Sequence, residues 1–510
     1  MKYPLLVLVF VTLVSFISLT SFEAEGTSLE NDAIVDFDKL RQWQHRPTPL
    51  IQAATGNQAD LIVYVPDWVS PMPSFGFIEA MAEQGIAATN QAFSDSQIDL
   101  ELRLVGVLPV TLEPSMDSSA LLTEFANNQS VNAALSRYYG ADLALLFVPS
   151  MSDAAGIAFL PGNHSVVSYS GFPDQIRNAI FSHEIGHNFG AGHEGVATSL
   201  ADYGHAIDCG FGVTVMWSTV SPGTLNSFSN PNLSSPIGCG DAAAADNARV
   251  LRESTSFITN TNAANTPQGS VEFEQTSQSV MEGNAVEVAL TRDDFSGPAA
   301  VTVALNRDDG SSALFAVNFD AGEQEASLFF TVDGDGQVGD RLWRLQLHYP
   351  SGASLGANQQ LSLVVSDSGD DQQPGRIEFG QDDYLVTAGQ VLPVTLVRLG
   401  GSQGPLSVRL QTQDGSAVAG QDYTAVNQQV TFADGQMNLT TNISTALSGA
   451  NRDFVLQLIA ADGSVESARV VLGEPVTPTD SGGDGGGGGS LGWAVMLLAW
   501  MGYRRRRPLS

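Results

Sequence analysis

The chain contains few basic residues. Its 510 residues include 22 lysines and arginines against 55 aspartates and glutamates, so the formal net charge at pH 7 is −33. A surface of this charge would repel phosphate backbones, which argues against nucleic acid as a partner. The composition predicts the solvated acidic surface of an exported protein, and some of its carboxylates are candidates for Ca²⁺ binding.

Cysteine is almost absent. Cys209 and Cys239 are the only two in the chain. Disulfides persist in exported proteins, whereas cytosolic proteins keep their thiols reduced. For a chain that also carries an export signal, we predict a single bond between these two residues.

Long apolar runs are confined to the two ends of the chain. Near the N-terminus, Lys2 precedes the apolar run 5–19, and small residues then lead into an acidic stretch, which predicts a signal peptide over residues 1–21. A membrane anchor is the alternative, but the run is short for a span. Residues 22–58 are predicted to be an N-terminal extension or a short propeptide.

The C-terminal end has a linker, an apolar run and a basic tip. Residues 475–490 finish with SGGDGGGGGS and are predicted to be a flexible linker. Residues 491–510 contain LGWAVMLLAWMGY followed by four arginines, which would stay on the cytoplasmic side of a membrane. This arrangement resembles the GlyGly-CTERM sorting tail of Gram-negative bacteria. The resemblance implies transient inner-membrane anchoring, cleavage by a rhomboid-type sorting protease, and release by secretion machinery to the cell surface or medium. A permanent tail anchor is the alternative.

The sequence between these ends divides into two regions with different patterns of apolar residues. Residues 59–262 alternate apolar strand-like runs with helical spacings, which predicts an α/β domain. From residue 269 the pattern changes to period-two alternation with Gly and Asp turns. Residues 271–292 align there with 377–398 at a constant offset of 106. The repeat predicts two all-β immunoglobulin-like sandwiches, over residues 269–367 and 375–474.

The stretch SHEIGHNFGAGH (182–193) contains the clearest candidates for metal-binding and catalytic residues. Pro173 and Asp174 favour a helix start, and His183 and His187, four residues apart, project from the same helical face. Gly190 is expected to end the helix and let the chain turn back. His193 would then be a third metal ligand.

Three protein ligands leave the fourth position of Zn²⁺ open, which is typical of a catalytic site. The sequence therefore predicts a zinc-bound water that Glu184, beside the first ligand, activates for hydrolysis.

HExxHxxGxxH followed by a buried methionine is typical of metzincin zinc proteases. Together with GADLALLF, AGIAF, TVMWS and FSNPNL in this order, it resembles the reprolysin-like (adamalysin-type) bacterial branch. The resemblance implies an α/β metzincin catalytic domain with a mixed sheet plus helices, and Met216 as a hydrophobic floor under the zinc. It also implies an edge strand that binds extended substrate through the backbone of Gly156, Ile157 and Ala158.

The match has departures from the family pattern. Glu194 stands where an aspartate usually follows the third histidine, and Ala155 replaces a frequent cysteine. Ser218 stands two residues after Met216, so no fifth, tyrosine ligand is expected. The segment before Ala59 has no cysteine, which excludes a thiolate latency switch. None of these changes affects the proposed ligands or base.

The two β units resemble Calx-beta domains, which can bind Ca²⁺ through clustered acids. The first unit keeps Glu282, and the second keeps Asp422 but has Ala388 where Glu282 stands. Neither unit has a complete set of acids, so a spacer or adhesive role is the simpler expectation.

The predicted function is that of a secreted zinc endopeptidase acting on proteins or peptides. The alternative is a surface adhesin in which the β units bind and the metzincin domain is inactive.

Overall fold

A computed structural model describes residues 27–28, 33–35, 57–195, 200–259, 262–332, 339–366, 373–446 and 451–473. The predicted signal peptide, glycine-rich linker and C-terminal tail lie outside these ranges. Within them, no helix combines the length and the apolar character needed to cross a membrane.

The N-terminal half is built on a mixed sheet. Its strands, with two short strands of the N-terminal extension, are β1 (Thr27–Ser28), β2 (Ala33–Val35), β3 (Asn57–Pro66), β4 (Leu100–Val110), β5 (Leu143–Val148), β6 (Gly156–Leu160), β7 (His164–Ser168) and β8 (Thr219–Val220). Six of them form one sheet in the order β2-β6-β7-β5-β3-β4. Only the β6–β7 pair is antiparallel. β1 pairs separately with β8.

Helices cover this sheet, as expected where parallel strands alternate with helices. They are α1 (Phe75–Asp95), α2 (Ser118–Asn127), α3 (Gln129–Ala133), α4 (Asp174–Asn188) and α5 (Asn247–Thr259), with a π-helical turn at Ala134–Tyr138. The helical segment from Ser118 to Tyr138 is interrupted at Asn128. The side chain of Asn128 accepts from the backbone of Ser130 and Val131 and starts a new helix.

Close packing fixes the position of α4. Gly85 on α1 has no side chain, and an added Cβ would collide with the ring of Phe181 on α4. Four residues along α1, Thr89 Oγ1 lies 3.0 Å from Ser182 Oγ. Phe181 also packs against Phe147 of the sheet. The motif-bearing helix is therefore held between α1 and the sheet before any ligand is considered.

The C-terminal half consists of two sandwiches. The first contains β9 (Ser270–Phe273), β10 (Ser277–Met281), β11 (Ala285–Arg292), β12 (Ala299–Asn306), β13 (Ser312–Phe319), β14 (Glu325–Thr331), β15 (Arg341–Ser351), β16 (Ser354–Leu355) and β17 (Gln360–Ser366). Its sheets have the orders β10-β17-β15-β12-β13 and β14-β11-β9-β16.

The second sandwich repeats this plan. It contains β18 (Arg376–Phe379), β19 (Asp383–Thr387), β20 (Val391–Leu399), β21 (Leu406–Asp414), β22 (Asn427–Phe432), β23 (Asn438–Ser444), β24 (Arg452–Ile459) and β25 (Val465–Gly473). Its sheets are β18-β20-β23 and β19-β25-β24-β21-β22. In both units the second strand joins the last strand in parallel, as the sequence repeat predicts. The expected fold class, α/β followed by two all-β sandwiches, is confirmed.

The first sandwich packs directly on the α/β region. Phe75 at the start of α1 contacts His348, with ring centroids 4.3 Å apart. The Tyr349 hydroxyl donates to Glu79 Oε1 at 2.6 Å, and the Tyr138 hydroxyl donates to Asp320. The second sandwich contacts the first, where Leu342 and Val364 share an apolar cluster with Val397 and Leu399.

Candidate metal centre

Helix α4 begins and ends where the local sequence signals place it. Pro173 is its N-cap and Asp174 its first residue, and the Asp174 carboxylate pairs with Arg177 in the first turn. At the other end Gly190 has a φ of +89°, which a residue with a side chain rarely adopts. Its amide donates to the His187 carbonyl at 2.8 Å, and the Ala191 amide donates to Gly186. This reversal turns the chain back towards the helix.

The reversal brings the three histidines of the motif together. His193 Nε2 lies 3.0 Å from His183 Nε2 and 3.1 Å from His187 Nε2. All three side chains are buried. Within the described ranges, this is the one group of three or more histidine, cysteine or acidic side chains whose ligand atoms converge in this way.

Backbone carbonyls fix the tautomers of the first two histidines. His183 Nδ1 is 2.8 Å from the Val215 carbonyl oxygen, and His187 Nδ1 is 2.9 Å from that of Ala191. Because a carbonyl oxygen only accepts, each Nδ1 carries the proton. Each Nε2 therefore directs a lone pair towards the shared point, as metal-binding imidazoles do.

The spacing of the nitrogens fits zinc. Two nitrogens bound tetrahedrally at 2.0–2.1 Å from one Zn²⁺ lie about 3.3 Å apart. The two measured separations are within a few tenths of an ångström of that value. A neutral, all-imidazole donor set also suits zinc better than the oxygen-binding cations. His183, His187 and His193 would hold the ion.

Glu184 lies directly beside the predicted substrate strand. A Cβ added to Gly156 on β6 would collide with the Glu184 carboxylate, so glycine at this position is what lets the two approach. Glu184 is fully buried. The carboxylate next to the first histidine thus lies against the strand whose backbone, from Gly156 to Ala158, was predicted to bind substrate.

Met216 lies on the opposite side of α4. It is fully buried, and a Cβ on Gly186, within the histidine motif, would collide with its sulfur. The preceding residue, Val215, supplies the carbonyl that orients His183. Met216 therefore packs directly against the helix between the first two histidines.

Asn247 is a residue of the site that sequence reasoning missed. At the start of α5, its side-chain oxygen accepts from the Gly192 amide and its side-chain nitrogen donates to the Gly192 carbonyl, both at 3.0 Å. Gly192 immediately precedes His193. Asn247 is fully buried, so these two bonds clamp the backbone that presents the third imidazole. A separation of 55 residues leaves no local signal for this contact.

Glu194 and Asn188 also make contacts that the sequence did not predict. The Glu194 carboxylate accepts from both the backbone amide and the hydroxyl of Ser218. The turn after Met216 is thereby tied to the neighbour of His193. On the helix, the Asn188 amide nitrogen donates to the carbonyls of Phe159 and His164, which joins α4 to the β6–β7 turn.

Cys209 is bonded to Cys239. The bond joins the two ends of the segment that contains Met216. At the same place the Asn230 amide donates to the Cys239 carbonyl.

The outer edge of β6 is occupied by the chain itself. β6 was expected to have free backbone groups on the side away from β7. In the structure Ala33–Val35 pairs in parallel with Ala158–Leu160 on that side. Gly156 and Ile157 lie outside this pairing. The difference arises from a non-local contact with the N-terminal extension.

The two acids of the β units that the sequence singled out, Glu282 and Asp422, are each paired with an arginine. Glu282 is ion-paired with Arg341. Asp422 accepts from Arg452 at 2.7 Å and from the Val418 amide at 2.8 Å. In each unit a guanidinium already neutralises the candidate calcium ligand.

Comparison with known families agrees with this geometry. Residues 80–194 match the metallo-peptidase family M12B, reprolysin-like. Residues 265–340 and 370–477 match the Calx-beta domain. The chain therefore contains a reprolysin-like metallopeptidase domain followed by Calx-beta domains, and both expected resemblances are confirmed. The first match ends at Glu194, so Met216 and the disulfide lie beyond it.

Individual relatives resemble separate parts of the chain. A peptidyl-Asp metalloendopeptidase of Stenotrophomonas maltophilia strain R551-3 is 27% identical over 251 residues, 45% of this chain and 60% of the relative. The same enzyme of strain K279a is 26% identical over 40% of this chain and 52% of the relative. The chain thus spans little more than half the length of these proteins. Human FRAS1-related extracellular matrix protein 2 is 27% identical over 110 residues, 3% of its length.

Among solved structures, a crystal structure of CBD12 from CALX1.2 aligns with 38% of this chain and 83% of its own, at 21% identity and a TM-score of 0.18. A chaperone–substrate complex aligns with 41% of this chain and 35% of its own, at 19% identity and a TM-score of 0.36.

Proposed function

We propose that this protein is a zinc endopeptidase that hydrolyses peptide bonds in protein substrates. The observation that carries the proposal is the convergence of three buried imidazole nitrogens beside a buried glutamate that lies against a sheet strand. The family match over the motif supports the same reaction class.

Each residue has a distinct role in the proposed reaction. Zinc bound by the three histidines would supply Lewis acidity, polarising the substrate carbonyl and lowering the pKa of water. Glu184 accepts a proton at its carboxylate and transfers it to the leaving amine. Gly156 and Ile157, which lie outside the pairing with Ala33–Val35, hold an extended substrate by backbone hydrogen bonds, and Ala158 would join them only where its pairing with Ala33 is released. Because Gly156 contacts Glu184, a peptide on this strand would have its scissile bond close to the base.

Glu184→Ala tests the proposal. The full chain and the variant are compared for zinc content and for cleavage of a denatured protein. We expect one zinc per chain in both and cleavage in the wild type alone, because alanine removes the proton acceptor but no imidazole. Gln84→Ala, on α1, is a matched control that should retain cleavage. Zinc-loaded wild type that cleaves no protein would overturn the proposal and favour the adhesin alternative.

The names of two relatives guide the choice of substrates. Both are called peptidyl-Asp metalloendopeptidases. We propose that this chain also favours bonds adjoining aspartate. Paired peptides that differ only by Asp or Asn at one position test this, with faster cleavage of the Asp peptide expected. Equal rates would contradict the preference.

We further propose that the protein is exported and that its C-terminal tail is removed. The signal-like residues 1–21 and the glycine–apolar–arginine order of residues 481–507 support this. Mass spectrometry of protein from the culture medium should find a mature chain lacking both segments. Protein retained in the inner membrane with residues 491–510 intact would instead indicate a permanent anchor.

A further inference from the structure

One strand of the first β unit departs from regular geometry where it meets the α/β region. Tyr349 in β15 has a φ of +49°, in the left-handed region that aromatic residues rarely adopt. β15 also contains an extra residue here, since Thr302 pairs with His348 but Ala300 pairs with Ser351. Such a β-bulge changes the direction in which the local side chains point. Strained backbone of this kind persists only where the surrounding structure holds it in place.

The bulge lies against the start of α1. The Tyr349 hydroxyl donates to Glu79 Oε1 at 2.6 Å. The ring centroids of His348 and Phe75 are 4.3 Å apart. Phe75 is the first residue of α1, and an amide at that position has no acceptor inside its own helix. It donates instead to Ser312 Oγ of the first β unit, at 3.3 Å. The β unit therefore bonds both the backbone and a side chain of the first turns of α1.

The second β unit has neither the bulge nor the left-handed residue. Its strand β24 is third in a five-stranded sheet, as β15 is in the first unit. The pairing of β24 with β21 runs without a shift from Asp414–Phe454 to Arg409–Ile459. The structure describes all of β24, and no residue in that strand has a positive φ. The bulge is thus not a requirement of the sandwich fold, and it is present in the unit that contacts α1.

α1 connects this contact to the helix that carries the histidine motif. An α-helix rises 1.5 Å per residue, so Thr89 lies about 15 Å along α1 from Glu79. Thr89 Oγ1 is 3.0 Å from the Oγ of Ser182, the residue immediately before His183. Because Gly85 lets a ring of α4 pack directly on the α1 backbone, a shift of α1 would displace α4 as well.

We propose that the first β unit is a positioning element of the peptidase and that Tyr349 is the positioning residue. Its bond to Glu79 fixes α1, and α1 fixes the helix that presents His183 and His187. The inference rests on the proposed function above. A domain that served only as a spacer would not need a strained, hydrogen-bonded contact with the helix that supports the metal centre.

Tyr349→Phe in the full chain tests the proposal, because it removes the hydroxyl that bonds to Glu79 and keeps the ring. Tyr384→Phe is the matched control, since the buried Tyr384 hydroxyl donates to the Thr395 carbonyl at 2.9 Å within the second β unit. Each variant loses one hydrogen bond, so stability alone does not distinguish them. Competition with a chromophoric chelator measures zinc affinity without hydrolysis, and peptide hydrolysis gives kcat and KM separately.

Glu79→Gln is the conservative variant of the partner residue. Its amide oxygen can still accept from the Tyr349 hydroxyl, so the contact is retained without the charge. We expect it to resemble the wild type in zinc affinity, kcat and KM. A loss as large as that of Tyr349→Phe would show that the carboxylate charge, and not the bond to Tyr349, is what matters.

We expect Tyr349→Phe to weaken zinc binding and to lower kcat, each by about 2- to 30-fold, with neither change in Tyr384→Phe. KM should stay unchanged, because β6 and not α1 is proposed to hold the substrate. Zinc affinity of Tyr349→Phe equal to that of the wild type would overturn the proposal, as would a rise in KM alone. Weaker zinc binding in a protein of which no form hydrolyses peptides would count against the proposed function while supporting the positioning role.

Discussion

Two regions of this molecule gather side chains of the kind that bind cations, but the chain arranges those side chains in different ways. In the α/β region, three imidazole nitrogens converge within hydrogen-bond distance. In the β units, Glu282 and Asp422 each lie against an arginine. A buried negative charge must be compensated, and the chain does so internally in the β units. The three imidazoles of the α/β region instead form the group whose converging nitrogens could hold an external metal ion, and this is the region proposed to carry out the chemistry.

Removal of metal should have the largest effect on this contrast. A zinc chelator such as 1,10-phenanthroline is expected to abolish hydrolysis and lower the melting temperature of the α/β region, since bound ligand stabilises the folded state. Added zinc should restore both. EGTA, which prefers calcium, should leave activity and unfolding of the β units unchanged in calorimetry. A calcium-dependent melting transition would remove the contrast.

Arg452→Gln should lower the free energy of unfolding of the second β unit. It leaves the Asp422 carboxylate, whose side chain is 1% exposed, without its guanidinium, and the expected cost is about 3 kcal/mol. Arg469→Gln is the control, because its pair with Asp453 is more exposed and should contribute less than about 1 kcal/mol. Denaturant unfolding measures both. Equal losses would show that Arg452 does not substitute for a cation.

Asn247→Ala should weaken zinc binding by about 10- to 100-fold, because the clamp on Gly192 orients His193 without touching the metal. Competition with a chromophoric chelator measures this affinity. Asn230→Ala is the matched control, since it removes an equally buried amide that bonds to Ser96. Similar zinc affinities in the two variants would reduce Asn247 to a general structural role.

The contact between the two regions should respond to pH. Burial between the first β unit and α1 lowers the pKa of His348 from 6.5 to about 4. Below pH 6.5 the unfolded chain binds a proton at this residue while the folded protein does not, so stability falls as the pH drops from 6.5 towards 4. From pH 6.5 to 5 the expected loss is about 1.5 kcal/mol.

His348→Phe isolates this contribution, because Glu79 and Glu83 in the same contact have raised pKa values and titrate in both proteins. As the pH rises from 4 to 6.5, the free energy of unfolding of the wild type should increase relative to that of the variant, because only the wild type carries His348. Parallel pH profiles would exclude His348 as the source.

Local signals in the sequence predicted the elements that carry the site. Pro173 and Asp174 start α4 and Gly190 ends it, because first-turn and left-handed preferences act over a few residues. The repeat offset of 106 likewise predicted two units with matching strand order. These features depend on backbone preferences and periodicity, which are written in adjacent residues.

Contacts between distant residues could not be predicted in the same way. The Asn247 clamp spans 55 residues, and the Glu194–Ser218 contact spans 24. Whether Arg452 would lie beside Asp422 depends on how the sandwich closes, since their types alone allow many pairings. The pairing of Ala33–Val35 with β6 also has no local signature. Each required the tertiary arrangement.

Gly156 and Gly186 allow close packing on two sides of α4, the helix that carries the histidine motif. Gly156 on β6 has no side chain and so leaves room for the Glu184 carboxylate of α4. Gly186 on α4 has no side chain and so leaves room for the Met216 sulfur. The two glycines therefore set how closely α4 packs against β6 on one side and against Met216 on the other. A methyl group at Gly156 would meet a Glu184 carboxylate oxygen at 2.3 Å, and one at Gly186 would meet the Met216 sulfur at 2.4 Å, so the packing around α4 would have to shift. Alanine at one glycine or the other thus offers a way to attenuate the proposed hydrolysis while every group proposed to react is kept.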